Sequence, residues 1–83
     1  NVYTDHVEKV ISGHPEVLTC IVFSSPDPKF GMVLNATIEL VSNSSLTAEN
    51  IKAWLRPRLS RAEMPHQISI RNINVLETGK LRR

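Results

Sequence analysis

The sequence has few of the residues that build disulfides and metal centres. It contains a single cysteine, Cys20, and three histidines that share no ligand spacing with it or with each other. One cysteine cannot close an internal disulfide, and its place in an apolar run predicts a small buried side chain in a reducing, cytoplasmic compartment. Without a cluster of ligands at suitable spacing, we expect no metal site.

Long apolar runs and complete catalytic motifs are also missing. No stretch approaches the ~18 consecutive apolar residues that a membrane span requires. The sequence has no Walker-type phosphate loop, no HExxH motif and no serine nucleophile with spaced acid and histidine partners. Its aromatic residues, 5% of the chain, are dispersed rather than arranged as an RNA-stacking platform. These absences exclude a membrane span and a full active site, and they argue against a nucleic-acid partner.

Charge is distributed unevenly along the chain. Residues 1–51 carry two basic and six acidic side chains, a balance of −4, whereas residues 52–83 carry eight basic and two acidic ones, a balance of +6. A basic segment attracts phosphates or another anionic surface, although single exposed arginines mostly serve solubility. Only a motif or a structural context can assign one of them a role.

The first half of the chain predicts one helix and two strands. Val7, Val10 and Ile11 lie on one face at helical spacing, and Gly13 with the following proline ends that helix. β-Branched residues predict a strand over residues 17–23. A rigid turn is expected at residues 24–28, which contain two prolines, and an alternating strand follows over residues 33–40.

The second half predicts one helix and one strand. Thr47 is a suitable N-cap, with Leu46 and Ile51 at the positions of a hydrophobic staple. Pro57 is expected to kink this helix. Alternation over residues 68–71 predicts a third strand. The order α-β-β-α-β indicates a single α+β domain, a sheet of about three strands with helices packed on it.

Several different short motifs follow one another along the whole chain. They are Asn1-Val2-Tyr3, Val7-Glu8, His14-Pro15-Glu16-Val17, Ser25-Pro26-Asp27-Pro28-Lys29-Phe30-Gly31, Met64-Pro65 and Thr78-Gly79-Lys80-Leu81-Arg82-Arg83. The last resembles the signature [ST]-G-K-[IVL]-x-R. In this order and spacing, the motifs resemble the C-terminal domain of AMP-forming acyl-CoA synthetases, which are members of the adenylate-forming superfamily.

The resemblance implies that residues 1–83 form one C-terminal lid domain, whose partner is a large N-terminal domain of the same polypeptide outside this sequence. It implies that Lys80 is the catalytic lysine that contacts the substrate carboxylate and the α-phosphate of ATP, with Gly79 allowing close backbone approach. A positioned ammonium stabilises the negative charge that develops at phosphorus. Alone, the chain is expected to be inactive.

The resemblance also implies the co-substrates of the parent enzyme. They are ATP with Mg, a carboxylic acid and coenzyme A, and Arg56 is the residue expected near the phosphates of coenzyme A. The domain is expected to rotate between the two half-reactions, so that Lys80 faces ATP in one state and the surface near Tyr3 faces the thiol in the other.

Two alternatives stay open. One is a domain that loads acyl groups onto a carrier protein; such members usually read R-I-E-P where this chain has Asn1-Val2-Tyr3-Thr4, and this difference favours coenzyme A. The other is a non-catalytic interaction module that has kept the fold, which the positive balance of residues 52–83 encourages.

Overall fold

The computed structural model describes residues 2–73, with side chains from residue 4 onward. Its elements are α1 (Val2–Ser12), β1 (Val17–Asp27), β2 (Gly31–Leu40), α2 (Ala48–Leu55), a short 3-10 helix (Arg61–Glu63) and β3 (Gln67–Ile70). The α+β class and the order α-β-β-α-β are confirmed.

The three strands form one mixed sheet in the order β1-β2-β3. β1 and β2 are an antiparallel hairpin with Val22 opposite Ala36, and β2 and β3 are parallel with Ala36 beside Ile68. Parallel neighbours need a crossover connection. Here α2 and the 3-10 helix supply it, so the chain returns to the sheet over one of its faces.

The hairpin is longer than the sequence predicts. The expected turn at residues 24–28 is wrong, because β1 continues to Asp27 and Pro26 lies inside the strand, opposite Met32. The N–H of Val22 donates to the Glu8 carboxylate rather than to β2, so it points to the free edge of the sheet. Pro26 lies four residues further along, on the same side, where a missing N–H removes no ladder bond.

Asp27 and Gly31 close the hairpin. The Asp27 carboxylate accepts hydrogen bonds of 2.9 Å from the N–H groups of Lys29 and Phe30. Gly31 has a φ of 85°, which residues with a side chain rarely adopt. The turn occupies residues 28–30, so Pro28 is its first residue and only Pro26 lies outside it.

Both helices pack on the same face of the sheet. The predicted apolar face of α1 is confirmed, since Val7 and Ile11 are buried and Val10 is partly buried, and Cys20 is buried as expected. The core consists of Val7, Ile11, Val17, Cys20, Val22, Ala36, Ile38, Ile51, Leu55 and Leu59. No described element covers the opposite face, where Ile21 and Phe23 are exposed.

The start of α2 is as predicted, but its end is not. Thr47 accepts a hydrogen bond from the N–H of Asn50, and the Asn50 side chain accepts one from the N–H of Thr47. The predicted kink at Pro57 is wrong, because the helix ends at Leu55. Pro57 has no N–H to continue the helix. The N–H groups of Arg58 and Leu59 instead both donate to the carbonyl of Leu55 at 2.8 Å.

β3 lies within a residue of its predicted position, and two hydrogen bonds hold the residues that follow it to β2. The N–H of Arg71 donates to the Ile38 carbonyl at 2.9 Å, and that of Ile73 donates to a Glu39 carboxylate oxygen at 3.1 Å. Among residues 2–73, no helix has the length and apolarity to cross a bilayer.

Candidate functional site

Gly79 and Lys80 lie outside the described residues, and the structure defines the point from which the chain leads to them. Ile73 is only 1% exposed, and its N–H is held by Glu39 at 3.1 Å. Glu39 follows the buried Ile38 in β2 and so lies on the opposite face of the sheet, and Ile73 is buried outside the main core cluster. The segment that leads to the lysine motif therefore starts from a fixed position, seven residues before Lys80.

Arg56 is the one predicted site residue whose surroundings the structure gives. It is exposed at the C-cap of α2, and its backbone N–H donates to the Lys52 carbonyl at 3.0 Å. Within residues 2–73, its guanidinium has no hydrogen-bond or ion-pair partner. Within this part of the chain, its charge is therefore not engaged.

Arg58 differs from Arg56, because its charge is already engaged. Its guanidinium carbon lies 4.0 Å from the centre of the Trp54 ring, and Nη1 donates to the Trp54 carbonyl at 2.7 Å. The ring of His14 meets Trp54 edge-on at 4.8 Å. Together these three side chains fix the end of α2 against the connection between α1 and β1, and so fix the position of Arg56.

Sequence reasoning missed this cluster, although a signal was present. Trp54 and Arg58 are four residues apart, the spacing at which side chains on one helical face meet, and arginine over tryptophan is a favourable cation–π pair. His14 could not be found in this way. It lies forty residues earlier in the chain, and only the packing of α2 on the sheet brings it to the ring.

A groove opens at the hairpin end of the sheet. Its volume is about 620 Å³, and it is lined mainly by apolar side chains, notably Phe30, Met32, Leu34 and Met64, with Arg61 and His66 among them. The centres of the Phe30 and His66 rings are 6.2 Å apart. No sequence motif pointed to this groove, because its walls come from two distant segments.

Contacts of the Glu63 carboxylate hold the 3-10 helix beside the groove in place. One Glu63 carboxylate oxygen accepts a 2.9 Å hydrogen bond from the Ser60 N–H, and the other lies 3.6 Å from His6 Nε2 on α1. The bond from Ser60, helped by the nearby His6, holds the pKa of Glu63 below its usual value. Among the described residues, no set of histidine, cysteine or acidic side chains converges to hold a metal ion.

The family model described as the AMP-binding enzyme C-terminal domain matches residues 6–80. A feruloyl-CoA synthase from Amycolatopsis sp is 34% identical over 68 residues, which are 82% of this chain and 14% of that protein. This chain therefore spans about one seventh of the length of that relative.

Two solved structures are similar in fold. An amide bond synthetase mutant from Marinactinospora thermotolerans has a TM-score of 0.76 at 28% identity, covering 86% of this chain and 14% of that one. The ATP-bound RpMatB-BxBclM chimera has a TM-score of 0.76 at 29% identity, covering 94% of this chain and 18% of that one. The chain belongs to the AMP-binding enzyme C-terminal domain family, the C-terminal domain of AMP-forming acyl-CoA synthetases and related adenylate-forming enzymes.

Proposed function

We propose that this domain supplies Lys80 to the adenylation step of an ATP-dependent acid:CoA ligase and then reorients for thioester formation. The observation that carries the proposal is the family match over residues 6–80, which extends as far as the Thr-Gly-Lys motif. The proposal includes a large N-terminal domain in the same polypeptide, because the matched relatives are about seven times longer than the part that this chain covers.

The chemistry assigned to Lys80 is electrostatic. In adenylation, a carboxylate oxygen of the acid forms a bond to the α-phosphorus of ATP, and the bond from that phosphorus to the bridging oxygen breaks as pyrophosphate leaves with the electron pair. The reacting phosphoryl group carries negative charge throughout. A lysine ammonium positioned beside the carboxylate and the α-phosphate lowers the barrier by stabilising that charge.

The anchor at Ile73 is compatible with this role. Lys80 lies seven positions after Ile73, and a chain of that length reaches at most ~25 Å when fully extended. Lys80 can therefore act on a site in another domain while Ile73 stays buried in this one.

Pyrophosphate exchange by the full-length parent protein tests the adenylation role. With a panel of carboxylic acids, we expect acid-dependent exchange that falls by roughly 100-fold or more in Lys80→Ala, a loss typical of a transition-state charge stabiliser. Lys9→Ala is the matched control, since Lys9 is exposed on α1 and should leave exchange unchanged. Exchange that persists in Lys80→Ala would remove the assigned role.

Arg56 is proposed to contact the phosphates of coenzyme A in the second step. Its exposure and the absence of a partner within residues 2–73 suit a polyanionic ligand, and a guanidinium can bind phosphate through two parallel hydrogen bonds. Arg56→Ala is expected to raise the KM for coenzyme A about tenfold while pyrophosphate exchange is unchanged. Arg71→Ala, also at an exposed position, is the control. A loss of exchange in Arg56→Ala would contradict the division of roles.

A second candidate function differs in the acceptor. The likeness to an amide bond synthetase, and the carrier-protein-loading members of the superfamily, make an amine or a carrier thiol the alternative to coenzyme A. Supplying the adenylate-forming enzyme with each acceptor in turn and identifying the product separates these cases. If no acid supports exchange at all, the domain is instead a non-catalytic interaction module, as the +6 balance of residues 52–83 would favour.

A further inference from the structure

The backbone ladder between β2 and the chain after β3 stops at Arg71, whose N–H donates to the Ile38 carbonyl at 2.9 Å. In a parallel ladder, every second residue donates to the neighbouring strand, so the next donor is Ile73 and its regular acceptor would be the Leu40 carbonyl. Ile73 instead donates to the Glu39 carboxylate at 3.1 Å. A side chain of β2 thus takes the place of its backbone as the acceptor.

Glu39 is a firm support for this bond. It lies in β2, the central strand of the sheet, and its backbone is paired with Thr19 of β1. Its side chain lies on the face away from the helices, so the backbone at Ile73 is drawn towards that face rather than continuing in line with β3. Glu39 therefore sets the place at which the chain leaves the sheet.

The position of Ile73 bears on Lys80, which follows it by seven positions. Without the bond to Glu39, the last of these backbone hydrogen bonds to β2 is that of Arg71, nine positions before Lys80. A longer segment with a looser start spreads the lysine over more positions. A group that stabilises charge acts only close to its productive geometry, so this spread lowers the rate of the step that it serves.

We propose that Glu39 is a positioning residue for Lys80, because its carboxylate holds the Ile73 N–H and so fixes the start of the segment that carries the lysine. This inference rests on the proposed function, under which Lys80 acts in adenylation. Glu39 acts through the chain and not by touching substrate or ATP. What the bond requires is an acceptor oxygen at the right reach, since the donor is a neutral N–H.

The test measures the two half-reactions separately in the full-length parent protein. Glu39→Ala is expected to slow acid-dependent pyrophosphate exchange about tenfold, the change in competent population that follows the loss of one hydrogen bond to a charged group. Thioester formation from added acyl-adenylate and coenzyme A should stay within about twofold, because Lys80 serves only the first step. A general loss of structure would instead slow both.

Two further variants separate reach from charge. Glu39→Gln keeps an acceptor oxygen at the same distance and should retain exchange within about threefold, whereas Glu39→Asp keeps the charge but is one methylene too short and should lose most of it. This order also tests the proposal if Glu39→Ala does not fold. Glu8→Ala is the matched control, because it removes a carboxylate bond of similar length, 3.0 Å from the Val22 N–H, and should leave exchange unchanged.

A double variant links the two residues. In Lys80→Ala, adding Glu39→Ala should slow exchange by less than about twofold more, since residues that act as a unit are not additive. Unaltered exchange in the Glu39 variants, an equal loss in both half-reactions, or the same loss in Glu8→Ala would overturn the inference and leave the role of Lys80 in place. If Lys80→Ala itself keeps full exchange, the proposed function fails and the positioning role of Glu39 fails with it.

Discussion

The Glu8 carboxylate accepts a 3.0 Å hydrogen bond from the backbone N–H of Val22, which faces the free edge of β1. Cys20, two residues earlier, lies with its Sγ 3.6 Å from the Glu8 carbonyl and 3.5 Å from Ser12 Oγ. Helix α1 thus covers the first part of an edge strand. Further along, Pro26 leaves that edge without an N–H donor. Both devices reduce the tendency of an exposed edge to pair with another chain.

Replacing Glu8 should therefore weaken the domain and expose its edge. Glu8→Ala leaves the Val22 N–H without its acceptor, and we expect the free energy of unfolding to fall by about 1–2 kcal/mol. Glu8→Gln keeps an acceptor oxygen and should lose about half of that or less. Urea unfolding of the two variants measures the difference. Equal losses would mean that the charge, rather than the hydrogen bond, stabilises the strand.

Cys20 should behave as a structural thiol rather than a reactive one. Burial raises the pKa of the Cys20 thiol above the ordinary 9.0, a shift reduced by the hydrogen bond with Ser12 and increased by Glu8. At pH 8 we expect maleimide labelling of the folded chain to be at least about tenfold slower than in urea, because both access and thiolate are reduced. Labelling at the same rate in both conditions would contradict the buried position.

The same shift predicts how stability depends on alkaline pH. Because the folded thiol holds its proton more tightly than the unfolded one, its contribution is intact below pH 9.0 and is lost as the pH rises through the higher folded pKa. Cys20→Ala should therefore show a flatter decline in stability above pH 9 than the unaltered chain. If the stability of both chains declines in parallel above pH 9, groups other than Cys20 cause the alkaline loss of stability.

Gly31 should tolerate few replacements, although space around it is open. A Cβ added there meets no atom within 4 Å, so any cost arises from the φ of 85° alone. Gly31→Ala is expected to lower the free energy of unfolding by about 1 kcal/mol, and Gly31→Asn by less, since asparagine enters this region more readily. Thermal unfolding of both variants tests the order. An alanine variant as stable as the unaltered chain would show that the hairpin relaxes to another turn.

Local patterns predicted most of the fold because the forces involved act locally. Val7 and Ile11 are buried at helical spacing, and Thr47 caps the helix that it precedes. The errors arose where tertiary context decides: Pro26 fits a strand only because its nitrogen faces a free edge, and Pro57 ends a helix whose carbonyls find other donors. The groove lay beyond sequence reasoning, because Met32 and Met64 meet only after the chain has returned to the sheet. Lys80 could be proposed only from its motif.

Glu63 should make the domain less stable in acid. The Ser60 N–H donates to the Glu63 carboxylate, and with His6 nearby it keeps the pKa of Glu63 below 4.5 in the folded chain. A lowered folded pKa means that the stabilisation is present above pH 4.5 and is lost as the pH falls through the lower folded value. Glu63→Gln should therefore remove part of the acid sensitivity below pH 4.5 while changing stability at pH 7 only modestly. Unfolding in urea across this range measures both effects, with Glu49→Gln, an exposed carboxylate in the first turn of α2, as the control. The free energy of unfolding of Glu63→Gln could instead fall below pH 4.5 as steeply as that of the unaltered chain. The hydrogen bond from Ser60 would then not hold the 3-10 helix, and packing would have to fix the wall of the groove beside Arg61.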